Sequence, residues 1–137
     1  MIRELSDVAQ ALSDPIRLRI LKLLALHDLC VCELVYLLPA SQSRVSQNLA
    51  ILRNAGLVTN TRDGRWVFYS LNRVAFDQAL ADMSALAAAG GLKDLPEMAG
   101  EAERWQAMQV DNPRSVCQMD SNRTVARRET TTPVIAV

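Results

Sequence analysis

The stretch from Asp28 to Leu71 is punctuated so densely that few folds accommodate it. Asp28 offers an N-cap oxygen for a short helix from about Leu29 to Leu38. Pro39 ends that helix, because proline has no N–H to continue the ladder and disfavours helical geometry in the residue before it. Ser41 then caps another helix through about Asn54, with Val45, Leu49 and Leu52 on one face and Gly56 supplying a left-handed stop. Helix, tight link, helix is the spacing of a helix-turn-helix. Past Gly56 the period changes, since Leu57-Val58-Thr59-Asn60-Thr61-Arg62 and Arg65-Trp66-Val67-Phe68-Tyr69-Ser70-Leu71 are β-prone runs around Asp63-Gly64, a strong hairpin signal.

Helices flank this block. Leu5, Val8, Ala9 and Leu12 share one face of a helix over about 3–12, and Asp14-Pro15 starts a second, with Asp as N-cap and Pro where its missing N–H is harmless. In that second helix Ile16, Ile20, Leu23 and Leu24 form a stripe, which Leu18 and Leu21 widen toward full burial. Phe76, Leu80, Met83 and Ala87 give a further helix over about 74–89, closed by Gly90-Gly91. The expected fold is mainly α with a β-hairpin wing, a winged helix-turn-helix. It divides into a winged helix-turn-helix domain over 1–91 and a C-terminal extension over 92–137, with one helix near 97–110 and then a flexible tail.

Composition narrows the class of function. In 137 residues there is one histidine, which nearly excludes a histidine-based triad, and three cysteines, too few for a disulfide-stapled scaffold. No apolar run approaches a membrane span and no leader is evident, so the expectation is a cytoplasmic protein. No phosphate loop, acid–base pair or Cys-x-x-Cys argues for an enzyme. Net charge is zero, yet Ser41–Arg73 holds Arg44, Arg53, Arg62, Arg65 and Arg73 against Asp63 alone, leaving +4 there and −4 elsewhere. Polyanion affinity follows the local field, so this block is the candidate nucleic-acid face.

Ser41, Gln42, Ser43, Arg44, Ser46, Gln47 and Asn48 on the last helix of the helix-turn-helix are the candidate contacts, with Ala50 and Asn54 on the same far side. Gln and Asn pair with adenine, Arg with guanine, and Ser with bases or phosphate in a major groove. Arg62 and Arg65 bracket the hairpin tip, where a wing reaches phosphates or the minor groove.

Taken together, Leu29-Cys30-Val31-Cys32-Glu33-Leu34, Ser41-Gln42-Ser43-Arg44-Val45-Ser46-Gln47-Asn48-Leu49, Gly56-Leu57-Val58 and Gly64-Arg65-Trp66-Val67-Phe68-Tyr69 resemble the ArsR/SmtB family of winged-helix repressors, over about residues 5–90. Within it, the Cys-x-Cys stretch is similar to the thiolate site of arsenic(III)/antimony(III) sensors and of cadmium/lead sensors. The resemblance implies a homodimer on partly palindromic double-stranded operator DNA, released when As(III) or Sb(III) acts as inducer. Symmetry supports the dimer, because two copies double the few contacts one small domain offers. The helices near 3–12 and 74–89 are its expected surface.

Cys30 and Cys32 are the candidate metal ligands, since soft ions prefer thiolates. Residues i and i+2 of a regular helix point to opposite sides, so binding is expected to distort the first turn of the third helix. In the arsenic sensors that the motif resembles, a third cysteine often follows three residues after the second; here Val35 stands there. Cys117 is the remaining thiol and a candidate third ligand, whereas His27, alone beside a helix cap, is read as solvent-facing. Asp77 and Asp82 without histidine do not make the family's other, His/carboxylate, zinc site. Cadmium/lead sensing and a thiol-redox switch remain as alternatives; cysteines two apart close a strained ring, so the expected disulfide joins Cys30 or Cys32 to Cys117.

Overall fold

The computed structural model describes residues 1–90 and 92–110. It divides into two compact units, Met1–Gly91 and Leu92–Val137. In the first, α1 (Ile2–Ala11) and α2 (Pro15–Leu26) lead into a two-residue strand β1 (Leu29–Cys30). Then come α3 (Val31–Leu37), α4 (Gln42–Asn54), β2 (Val58–Asp63), β3 (Trp66–Leu71) and α5 (Arg73–Ala87). In the second, two 3₁₀ turns, Leu92–Asp94 and Pro96–Met98, precede α6 (Ala99–Val110). The expected tail from Asp111 onward, including Cys117, lies outside the described residues.

Local chemistry accounts for the helix starts. The Asp14 carboxylate accepts from the amides of Ile16 at 2.8 Å and Arg17 at 3.2 Å, and these bonds, Arg17's foremost, hold its pKa below the usual range. Ser41 Oγ accepts from the Arg44 amide at 3.2 Å, and Gly56 closes α4 at φ +78°. Asn72 caps α5 through the Ala75 amide and also donates to the Gly56 carbonyl at 3.0 Å, pinning the start of α5 to the corner between α4 and β2.

The core is aliphatic. Ile20, Leu34, Val45, Leu49, Leu52 and Leu57 are fully buried, joined by Val8 and Ala11 from α1 and Ala79 from α5. Leu21 lies in this core, but Leu18, which was expected to widen the buried stripe, is 49% exposed. The hairpin is present with its turn one residue later. Asp63 pairs with Trp66, which leaves Gly64-Arg65 as the loop, and only Gly64 has positive φ, the signature of a type II′ turn.

A third strand was not expected. β1 pairs antiparallel with β3, Leu29 opposite Tyr69 and Cys30 opposite Phe68, giving the sheet order β1-β3-β2. The third helix therefore begins at Val31 rather than Leu29, because backbone pairing to the wing holds those two residues extended.

Candidate nucleic-acid interface and thiol junction

Helix α4 buries Val45, Leu49 and Leu52 against the core and turns Ser41, Gln42, Ser43, Arg44, Ser46 and Gln47 outward. These six exposed side chains, interrupted only by the buried Val45, bring hydroxyl, amide and guanidinium groups to the cap and first turns of the helix. Such chemistry suits base edges and phosphates.

Asn48 does not belong to that face. It is 6% exposed, donates to the Arg44 carbonyl at 2.9 Å and accepts from Arg17 Nη1 at 2.9 Å. Its spacing from Val45 and Leu52 places it on the inward side, where a polar side chain must find partners. Arg17 completes the arrangement by donating Nε to the Ala11 carbonyl at 2.6 Å and Nη2 to the Gln10 carbonyl at 3.2 Å. One guanidinium thus ties the end of α1, the start of α2 and the middle of α4 together, and the planar fork of arginine suits three acceptors in fixed directions.

The wing presents its arginines at the tip. Arg62 Nε donates to the Gly64 carbonyl at 3.2 Å, and the Arg65 guanidinium lies over the Trp66 ring, 5.6 Å from its centroid. Both arginines are exposed, as are Thr59, Asn60 and Thr61. Arg73, the last cation of the block, pairs instead with Asp77 along α5.

On the edge of β3 away from β2, where β1 pairs with it, the two thiols meet. Cys30 Sγ lies 2.9 Å from Cys32 Sγ, and neither is in a disulfide. The expected divergence of the two side chains does not occur, because Cys30 is not in the helix. It is the extended residue before α3, at φ −86° and ψ 167°, and only Cys32 has helical geometry. Cys30 is buried and Cys32 exposed, so one sulfur anchors the site and the other faces solvent. Burial, with contacts to Cys32 and Glu33, pushes the Cys30 thiol up to about 11. Glu33 Oε1 accepts from the Cys30 amide at 3.1 Å, which holds the Glu33 carboxylate below its usual range. His27 is exposed, and among the described residues no group of three or more His, Cys, Asp or Glu is arranged to hold a metal ion.

Arg17 and Glu33 are the site residues that sequence reasoning missed. Cys30-x-x-Glu33 has the spacing of a capping box, a readable signal once Cys30 is taken as N-cap. Arg17 gave none, since its side-chain partners lie on two other elements, α1 and α4.

Comparison with known proteins adds an independent line. The family described as "Bacterial regulatory protein, arsR family" matches residues 14–60. The arsenic resistance transcriptional regulator ArsR2 of Pseudomonas putida is 48% identical over 67 residues, covering 48% of this chain and 58% of that protein. An arsenical resistance operon repressor of Staphylococcus aureus is 34% identical over 84 residues, covering 61% and 81%. Among solved structures, a "possible transcriptional regulator for arsenical resistance" is 31% identical with a TM-score of 0.52, covering 72% of this chain and 91% of that one. The chain spans little more than half the length of several relatives it matches.

Proposed function

Because the chain belongs to the ArsR family, a family of bacterial regulatory proteins and not of enzymes, we propose that it is a repressor that binds operator DNA as a homodimer and leaves it when As(III) or Sb(III) binds Cys30 and Cys32. The observation that carries this reading is the meeting of the two sulfurs, 2.9 Å apart, at the junction of β1 and α3. That junction borders both DNA-facing elements. β1 is hydrogen-bonded to β3 of the wing, and α3 packs against α4.

The geometry gives binding a lever. Two sulfurs on one ion, with metal–sulfur bonds of about 2.3 Å, stand roughly 3.3–3.8 Å apart. Loading the pair therefore parts the sulfurs by somewhat under 1 Å, and whatever share of that displacement the buried Cys30 takes moves β1 against Phe68 of the wing or α3 against α4. Such a coupling of about 1–3 kcal/mol weakens operator binding about 5- to 150-fold. The change occurs at the strand–helix junction, without the helix unwinding that the spacing alone suggests.

Six exposed residues of α4, Ser41, Gln42, Ser43, Arg44, Ser46 and Gln47, would contact the operator, with Arg62 and Arg65 reaching its backbone from the wing. For the dimer, α5 leaves Val74, Leu80, Met83 and Leu86 exposed beside α1, an apolar face that a second copy would cover. No helix among the described residues is long and apolar enough to cross a membrane.

The same sulfur contact favours a second reading. Peroxide would oxidise the pair to a disulfide with release of two waters, and at 2.9 Å distance is no obstacle to that bond. Fluorescence anisotropy of a labelled duplex, selected by the protein from a random pool, separates the readings when arsenite, antimonite, Cd, Pb, Zn and peroxide are titrated in parallel. Release by arsenite and antimonite at the lowest concentrations is expected. Release by a divalent ion or by peroxide alone would reassign the inducer.

A further inference from the structure

Helix α4 is seated on the core by Val45, Leu49 and Leu52, all fully buried. Apolar packing is non-directional, so it fixes the roll of a helix about its own axis less sharply than directed hydrogen bonds do. Roll matters to a helix that reads bases. With a radius of about 6 Å including side chains, a roll of about 10° carries a side-chain tip about 1 Å. That is about twice the roughly 0.5 Å range over which an N–H···O bond is made. A long, flexible arginine on a phosphate absorbs such a displacement, whereas a short side chain on a base edge does not.

Asn48 is the directed contact on the inward side of α4, and among the described residues it is the buried polar side chain. Its amide accepts from Arg17 Nη1 and donates to the Arg44 carbonyl, each at 2.9 Å. Arg17 is anchored in turn by the carbonyls of Gln10 and Ala11, at the end of α1, where helix carbonyls lack helical partners and a cation is favoured. Arg44 is held from the other side as well, its amide bonded to Ser41 Oγ while its side chain is exposed. The inward tie and the outward face thus share one residue.

Resting on the placement of α4 in the operator groove, we infer that Arg17, acting through Asn48, is a positioning residue for operator discrimination. It sets the roll of α4 against the end of α1, so that Gln47 and its neighbours meet base edges in register. Loss of the tie costs sequence preference, and affinity for DNA as a polyanion stays.

The test compares the full reduced chain and its variants by fluorescence anisotropy on two labelled duplexes at one salt concentration, the selected operator and a base-shuffled duplex of equal length. Circular dichroism at the same temperature checks that each variant is folded. Arg17→Lys keeps the charge without the fork, and Asn48→Leu removes the acceptor at similar volume. Each is expected to lower the ratio of operator to shuffled affinity at least about tenfold, about the worth of one good side-chain pairing with a base. Affinity for the shuffled duplex stays within about twofold. Asn48→Asp still accepts from Arg17 and retains the ratio. In the Arg17→Lys background Gln47→Ala loses its effect on operator affinity, whereas Arg62→Ala at the wing weakens binding by the same factor as in the wild-type chain. Should Arg17→Lys prove unfolded, Asn48→Leu carries the same readings. The inference is overturned if operator and shuffled affinities fall together in the folded variants, if the ratio is unchanged, or if Gln47→Ala costs the same factor with and without the tie. A wild-type chain that prefers neither duplex defeats the placement of α4 itself, whereas a discriminating wild type beside equally discriminating variants defeats this inference alone.

Discussion

At the scale of single residues, the two cysteines are unequal because one belongs to a strand and the other to a helix. Cys30 is buried and its thiol is pushed up to about 11, so it carries its proton at neutral pH. The folded pKa stands above that of an unfolded cysteine, so folding favours the protonated thiol. That contribution is present in full below about pH 9 and is lost as pH rises through about 11. Urea midpoints at pH 8 and pH 11 should therefore fall further for the wild-type chain than for Cys30→Ser; equal falls would show that the buried thiol is not what titrates. This inequality was invisible in the sequence. Cys-x-Cys announces soft-ion chemistry, but which sulfur is buried depends on β1 pairing with β3, and a two-residue strand leaves no periodic trace.

Among the elements, α4 shows what wheel arithmetic resolves and where it stops. Ser41 as cap, Gly56 as stop and the Val45-Leu49-Leu52 face were all legible, because each follows from one residue and its near neighbours. Asn48 was not, since an amide can face a groove or be satisfied inside, and only the distant Arg17 decides it. Asn48→Ala leaves one guanidinium arm unpaired near the core and should cost about 1.5–3 kcal/mol in urea unfolding. Arg44→Ala and Gln47→Ala, both on the exposed face, should leave unfolding nearly unchanged and weaken operator binding by about 1–3 kcal/mol each. Unaltered stability in Asn48→Ala would remove the three-element tie, and unaltered DNA affinity in the other two would place a different face in the groove. The wing follows the same division: Gly64 marked the hairpin, while the one-residue shift to a Gly64-Arg65 turn was set by the pairing of β2 with β3.

For the whole molecule, the separation of charge along the sequence becomes a separation in space. The exposed arginines of α4 and the wing tip lie on elements distinct from α5, whose apolar residues Val74, Leu80, Met83 and Leu86 are exposed. The winged helix-turn-helix itself was legible because its helix caps and hairpin signals are local and consecutive. The dimer surface was expected on the helices near 3–12 and 74–89, and α5 leaves Leu80 and Leu86 exposed. Leu80→Asp with Leu86→Asp should raise the dimer dissociation constant at least about 30-fold in sedimentation velocity, and weaken operator binding with it. An unchanged sedimentation profile would move the dimer surface elsewhere.

The junction where wing, α3 and the two thiols meet is tested most directly by arsenite titration of the operator complex with Cys30→Ser and Cys32→Ser beside the wild-type chain. Both variants should bind the duplex with wild-type affinity and stay bound at arsenite concentrations that release the wild type completely. Release of either variant at the wild-type concentration would contradict a sensor built on this pair.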